Sequence, residues 1–300
     1  MYKVTNPLNW LDESVVETSG RKYTFRLLKS ISVFPEKIID EIKVVVQDAH
    51  EDAKRRLRSL AGINLDPLGE PPVFDPAANY PECLDFQTLK GYFGEIFAGI
   101  VSVNYPHFGD NGWEMPVSLF RFHDLAFDQI ERLHQDAGAA KRIPGRTGDD
   151  NMAFLRDKNG AITKVLICEA KCTADHSSTL ISDAHEKISE SNFKPVSLRN
   201  LIDILQGYDD DESKKWVDAL RQYFLSPKSS APERYDLVSY ACGRGPVSAS
   251  RKSWIPSDRP HIKYTGKRRL EAVEIHLFQV DKLILEVYRK QEQEVENEPA

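Results

Sequence analysis

Val165-Leu166-Ile167-Cys168-Glu169-Ala170-Lys171-Cys172 decides how the rest of this chain is read. Four consecutive apolar residues bounded by polar ones describe a strand buried on both faces. Upstream, Asn151 to Arg156 forms a short strand, and Asp157-Lys158-Asn159-Gly160 carries the Asp, Asn and Gly of a hairpin turn. The returning strand therefore runs from Ala161 to about Thr173. Strand side chains alternate, so Glu169 and Lys171 share one face while Cys168, Ala170 and Cys172 share the other.

Beyond this hairpin, helices are expected over Ser182–Glu190, Ser197–Gly207 and Asp211–Leu225, and strands over Arg234–Cys242 and Leu270–Phe278. A last helix starts at Asp281 and reaches about Glu292. On the N-terminal side, Pro116–Phe122 reads as a strand and Asp124–Ala140 as a helix opened by an aspartate cap. Asp85 to Val101 is a helix with Leu89, Phe93, Ile96, Phe97 and Ile100 on one side. Its small residues Gly91, Gly94, Ala98 and Gly99 permit close approach to a neighbour. Earlier still, Lys22–Val33 alternates like a strand and residues 35–61 follow helical spacing, with Lys54, Arg55, Arg56 and Arg58 most simply a solvated face. Five prolines between Asn64 and Pro81 mark a linker. The resulting fold class is α/β, a mixed central sheet flanked by helices with an N-terminal α+β extension. Residues 1–84 form that N-terminal region, 85–290 the core, and 291–300 an acidic, disordered tail.

The chain has 300 residues, 41% hydrophobic, with 46 acidic and 40 basic side chains for a net charge of −6. The length supplies ample core, and the absence of a long apolar run or an N-terminal apolar segment leads to the expectation of a cytoplasmic protein without a membrane partner. Four scattered cysteines, Cys83, Cys168, Cys172 and Cys242, are read as reduced thiols. Net charge conceals a local excess. Residues 241–270 hold Arg244, Arg251, Lys252, Arg259, Lys263, Lys267, Arg268 and Arg269 against the single acid Asp258, with Trp254, His261 and Tyr264 interleaved. Such a loop suits a phosphate backbone, and Arg146 extends the same surface. The plainer reading is a solvated loop.

Glu-x-Lys also occurs at Glu41-Lys43 and Glu212-Lys214, both in expected helices, where residues two apart diverge. Only Glu169-x-Lys171 ends an apolar strand that a hairpin brings beside two aspartates, Asp149 and Asp150. Carboxylates brought together repel unless a cation neutralises them, and hard oxygen ligands suit Mg²⁺ or Mn²⁺. A shared ion requires the carboxylates within about 8 Å. An ammonium beside them could orient a water while the ion polarises a phosphodiester. A surface ion pair is the alternative. Cys168, Cys172 and His176 lack the spacing of a structural zinc site. Neither a phosphate-binding Gly-x-x-x-x-Gly-Lys loop, a Gly-x-Ser-x-Gly elbow nor a His-Glu-x-x-His pair occurs.

Gly148-Asp149-Asp150, a short strand, a hairpin and Cys168-Glu169-Ala170-Lys171-Cys172 together resemble the PD-(D/E)xK, or restriction-endonuclease-like, nuclease superfamily over about residues 85–285. The resemblance implies that an aspartate and Glu169 bind Mg²⁺ or Mn²⁺ and that Lys171 positions the attacking water. Gly148-x-Asp150 favours Asp150 over Asp149 as the aspartate, although the proline that names the superfamily precedes neither. Glu95 resembles the glutamate that many members carry on the first core helix; the alternative is a helix-surface carboxylate. The Glu-Ala-Lys-Cys ending after a divergent N-terminal region is similar to the nuclease subunit of Hachiman-type anti-phage defence systems. That resemblance implies a helicase or other defence-system subunit as partner; the expected activity is endonuclease cleavage, with DNA preferred to RNA as the nucleic acid. A catalytically silent nucleic-acid-binding subunit, or one that docks a partner through residues 1–80, is the rival from another class.

Overall fold

The run Val165–Cys168 lies next to one edge strand of a six-stranded sheet and is fully buried, as its sequence predicts. The computed structural model describes residues 10–18, 20, 22–30, 34–61, 75, 77–78, 80–81, 84–118, 150–191, 197–248 and 251–288. The strands are β1 (Leu11–Glu17), β2 (Tyr23–Ser30), β3 (Asn151–Arg156), β4 (Ile162–Thr173), β5 (Glu233–Cys242) and β6 (Leu270–His276). The helices are α1 (Glu36–Ala61), α2 (Phe86–Asn104), α3 (Ser178–Glu190), α4 (Leu198–Gln206), α5 (Asp211–Leu225) and α6 (Val280–Tyr288).

Spatially the sheet runs β1-β2-β6-β5-β4-β3. Its four inner strands β2, β6, β5 and β4 are mutually parallel, and an antiparallel hairpin closes each edge. Helices cover both faces, as a largely parallel sheet requires. On one face α1, α2 and α6 pack over Leu166, Cys168, Val273 and Ile275; on the other α3, α4 and α5 pack over Val165, Ile167, Val238 and Ala272. The α/β class with a mixed, helix-flanked sheet is therefore the observed architecture. Among the described residues no helix is long and apolar enough to cross a membrane.

The N-terminal hairpin joins the sheet as its outer two strands, with β2 paired to β6 from Tyr23–Leu270 to Lys29–His276. Arg26 carries its side chain into the interior. Its Nε donates to Glu271 at 2.8 Å, a second nitrogen donates to the Pro106 carbonyl at 2.6 Å, and it also pairs with Glu13. His107 Nδ1 lies 2.9 Å from the other Glu271 oxygen. Burial raises the Glu271 pKa, but His107 and Arg26 outweigh it and hold the carboxyl below its ordinary value.

Two expectations change. Residues 116–118 are not strand: Pro116 has no amide hydrogen for a ladder, and Glu114 alone makes an isolated bridge to Phe154 of β3. The helix read from Ser182 begins at Ser178, because the Ser177 hydroxyl caps it by accepting the Leu180 amide at 3.3 Å. The expected helix 124–140, most of the proline-rich linker, Asp149, Arg146 and the tail 291–300 lie outside the described residues.

Candidate active site

β3 and β4 pair with Asn151 opposite Cys168, so one residue further out Asp150 comes opposite Glu169 on the same face of the sheet. The Ala170 amide donates to Asp150 Oδ2 at 2.8 Å and fixes that carboxylate. Lys171 Nζ donates to Glu169 Oε1 at 2.6 Å. Asp150, Glu169 and Lys171, read from sequence as one cluster, thus stand together at the end of the buried strand.

A fourth side chain completes the group. Lys187, from α3, places its Nζ 2.6 Å from Glu169 Oε2 and 3.8 Å from Asp150 Oδ1. The carboxylates are almost enclosed, at 2% and 5% exposure, whereas Lys171 and Lys187 are 23% and 37% exposed. Two acids therefore form the floor and two ammonium groups the rim. Burial, then the neighbouring Asp150 charge, raises the Glu169 pKa against the opposing pull of Lys171 and Lys187.

Sequence reasoning missed Lys187. In α3 the buried positions Ile181, Ala184, His185 and Ile188 define the packed stripe, and Lys187 stands at its margin. Helical spacing shows that margin, but not which strand end it overlooks.

Glu95 is buried at 4% exposure on α2, the opposite side of the sheet from Glu169 and Lys171. Its backbone carbonyl accepts the Asn151 side-chain amide. Burial, then the charges of Asp150, Glu169 and Glu95, push the Cys168 thiol well above its ordinary pKa, and the Asn151 contact ties the Glu95 backbone to the start of β3. Close packing brings it there. A Cβ on Gly94 would stand 2.7 Å from the Cβ of Cys172, so glycine lets α2 press against β4.

A divalent ion fits the donor chemistry. Both carboxylates reach one cation, the Lys187 ammonium, which keeps their facing oxygens inside the limit of about 8 Å set for a shared ion. Among the described residues no group of three or more His, Cys, Asp or Glu side chains forms a metal-binding cluster. Cys168 and Cys172 are buried thiols on the α2 side, while His176 stacks on Trp254 with ring centroids 3.8 Å apart.

The basic loop divides into anchors and exposed groups. Arg268 donates to Asp236 at 2.7 Å and to the carbonyls of Ile188 and Ser189. Arg269 lies 4.9 Å over the rings of both Phe108 and Tyr235. Both hold the fold. Arg251, Lys252, Lys263 and Lys267 are exposed; Lys263 reaches Glu186 of α3 at 3.1 Å, and Arg251 lies over Trp254 while donating to its carbonyl. Glu274 anchors the loop beneath by accepting the amides of Trp254 and Ile255. In the earlier cluster on α1, Lys54 pairs with Glu51, Arg58 with Asp75, and Arg55 covers Tyr208.

No protein-family model matches the sequence, and no curated protein matches it.

Proposed function

We propose that this chain is a metal-dependent nuclease of the PD-(D/E)xK type that hydrolyses phosphodiester bonds, of DNA in preference to RNA. The observation that carries the reading is the convergence of Asp150, Glu169 and Lys171 at the end of a buried strand, with Lys171 2.6 Å from Glu169 and the Lys187 ammonium 2.6 Å from Glu169 and 3.8 Å from Asp150. Asp150 and Glu169 would hold Mg²⁺ or Mn²⁺, which supplies charge to polarise the scissile phosphate and to acidify a water. The Ala170 amide keeps Asp150 oriented, and Glu169 keeps Lys171 at the rim. From there the Lys171 ammonium can donate to and orient the attacking water. A phosphate backbone would approach over the lysines, the exposed side of the group. Arg251, Lys252, Lys263 and Lys267 supply the contact surface, and Glu95 supports the strand end from α2.

Cleavage assays on purified protein with Mg²⁺ or Mn²⁺ test the reading, using plasmid DNA, single-stranded DNA and RNA. Glu169→Gln, Asp150→Asn and Lys171→Ala are each expected to cut rates by about 10² or more, the usual scale for lost charge stabilisation or proton-handling groups. Undiminished cleavage by these variants refutes it. The two ammonium–carboxylate contacts at 2.6 Å also suit a second reading, a silent nucleic-acid-binding subunit whose acids are permanently neutralised. That protein would bind nucleic acid with strong salt dependence but show no carboxylate-dependent Mn²⁺ site. Within the nuclease reading, a cytoplasmic role in anti-phage defence beside a helicase subunit is the proposed setting, resting on the Glu169-Ala170-Lys171-Cys172 resemblance.

A further inference from the structure

We infer that Lys187 is a built-in competitor of the divalent ion: its ammonium occupies the place between Asp150 and Glu169 and must leave for the ion to bind. The inference rests on the metal-dependent reading above and adds to it the residue that sets metal affinity.

Lys187 Nζ contacts Glu169 Oε2 at 2.6 Å and lies 3.8 Å from Asp150 Oδ1. Mg²⁺ binds carboxylate oxygens at about 2.0–2.1 Å. An ion bound to Glu169 Oε2 would therefore lie within about 5 Å of the ammonium, a distance at which two cations repel strongly in a site whose acids are nearly buried. Charge balance points the same way. Asp150 and Glu169 are already paired with ammonium groups, so a divalent ion arriving while Lys187 stays would add its charge to acids that have cationic partners.

Lys187 is the ammonium suited to leave. It is more exposed than Lys171, 37% against 23%, and sits at the margin of α3, where a four-carbon stem can turn its head into water. Lys171, on β4 itself, stays beside Glu169 Oε1. Elsewhere around α3, Glu186 is bonded to Lys263 and Ser189 accepts the Thr265 amide at 3.0 Å. The backbone of α3 is thus braced while the Lys187 side chain remains movable.

Mn²⁺ titration of the full-length protein, following free Mn²⁺ by electron paramagnetic resonance, tests this in wild type, Lys187→Gln, Lys187→Met and Glu169→Gln. The expected result is Mn²⁺ binding at least about tenfold tighter in both Lys187 variants, the scale of a lost close charge pair, and binding abolished in Glu169→Gln. Equal or weaker binding in the Lys187 variants, with loss in Glu169→Gln, overturns the competitor role and leaves the metal site standing. Absence of binding in every form, or binding indifferent to Glu169→Gln, overturns the metal reading itself. A second measurement needs no substitution. Reductive methylation of the wild type, read by mass spectrometry, is expected to label Lys187 several-fold faster when Mg²⁺ is present; an unchanged rate overturns the proposal.

Discussion

Gly94 sits where α2 and β4 touch, and the 2.7 Å that would separate an added Cβ from the Cβ of Cys172 leaves no flexible atom to yield. Gly94→Ala is expected to cost about 1–3 kcal/mol, the usual penalty for overpacking, and to appear as a lower Tm in thermal unfolding. Gly99 offers a contrast. Its nearest neighbour would be the Met115 methyl group, the end of a side chain that can rotate away, so Gly99→Ala should cost less. These glycines were legible in the sequence as small residues on an apolar helix. Their partners were not, because spacing along a helix does not identify the strand it crosses. The same limit hid Lys187, whereas Glu169 and Lys171 were legible because a strand's period of two fixes the face each residue takes.

The loop from Arg251 to Arg269 shows why a run of positive charge cannot be treated as one surface. Arg268 completes a cluster with Arg234 and Tyr264 around Asp236, a carboxylate with no exposure, while Lys252 and Lys267 point to water. Neutralising Lys252 and Lys267 together should leave Tm nearly unchanged and flatten the salt dependence of DNA binding, by about one unit of the log–log slope per lost phosphate contact. Arg268→Gln should instead lower Tm, since it strips one of three partners from a buried acid; a cost of about 1–3 kcal/mol is usual for a lost hydrogen bond to a charged group. Filter binding across a salt series with parallel thermal melts separates the two classes. At this scale the sequence revealed the β3–β4 hairpin, the course of α2 and the acid-bearing β6. It did not reveal β1, where only Leu11 is buried and the acids Asp12, Glu13 and Glu17 mask the alternation of an edge strand. Nor did the proline-rich stretch after α1 show that the hairpin before it enters the same sheet.

For the molecule as a whole, enclosed histidines set the response to acid. His50 lies among Tyr80, Tyr92 and Tyr288, and burial, reinforced by Lys54, lowers its pKa to about 3; burial lowers His185 to about 4. Unfolded histidines take up protons near pH 6.5, so between these values the unfolded chain binds more protons than the folded one, and stability rises with pH. Their stabilisation is complete above about pH 6.5 and falls away as pH drops toward 3 to 4. His50 alone should account for about 3 kcal/mol lost by pH 4. Tm measured from pH 7.5 to 4.5 should fall, and His50→Gln should give a shallower fall from a lower starting point. The pairing of β2 with β6 carries a kinetic corollary. During synthesis the first hairpin is made long before its parallel neighbour, and loop closure across some 240 residues must come before that pairing contributes any stability. The β3–β4 hairpin bearing the acids can form before β6 is made, while the sheet that supports it is completed late, so the nascent chain carries a strand edge awaiting its neighbour, the kind of surface on which unfinished chains aggregate.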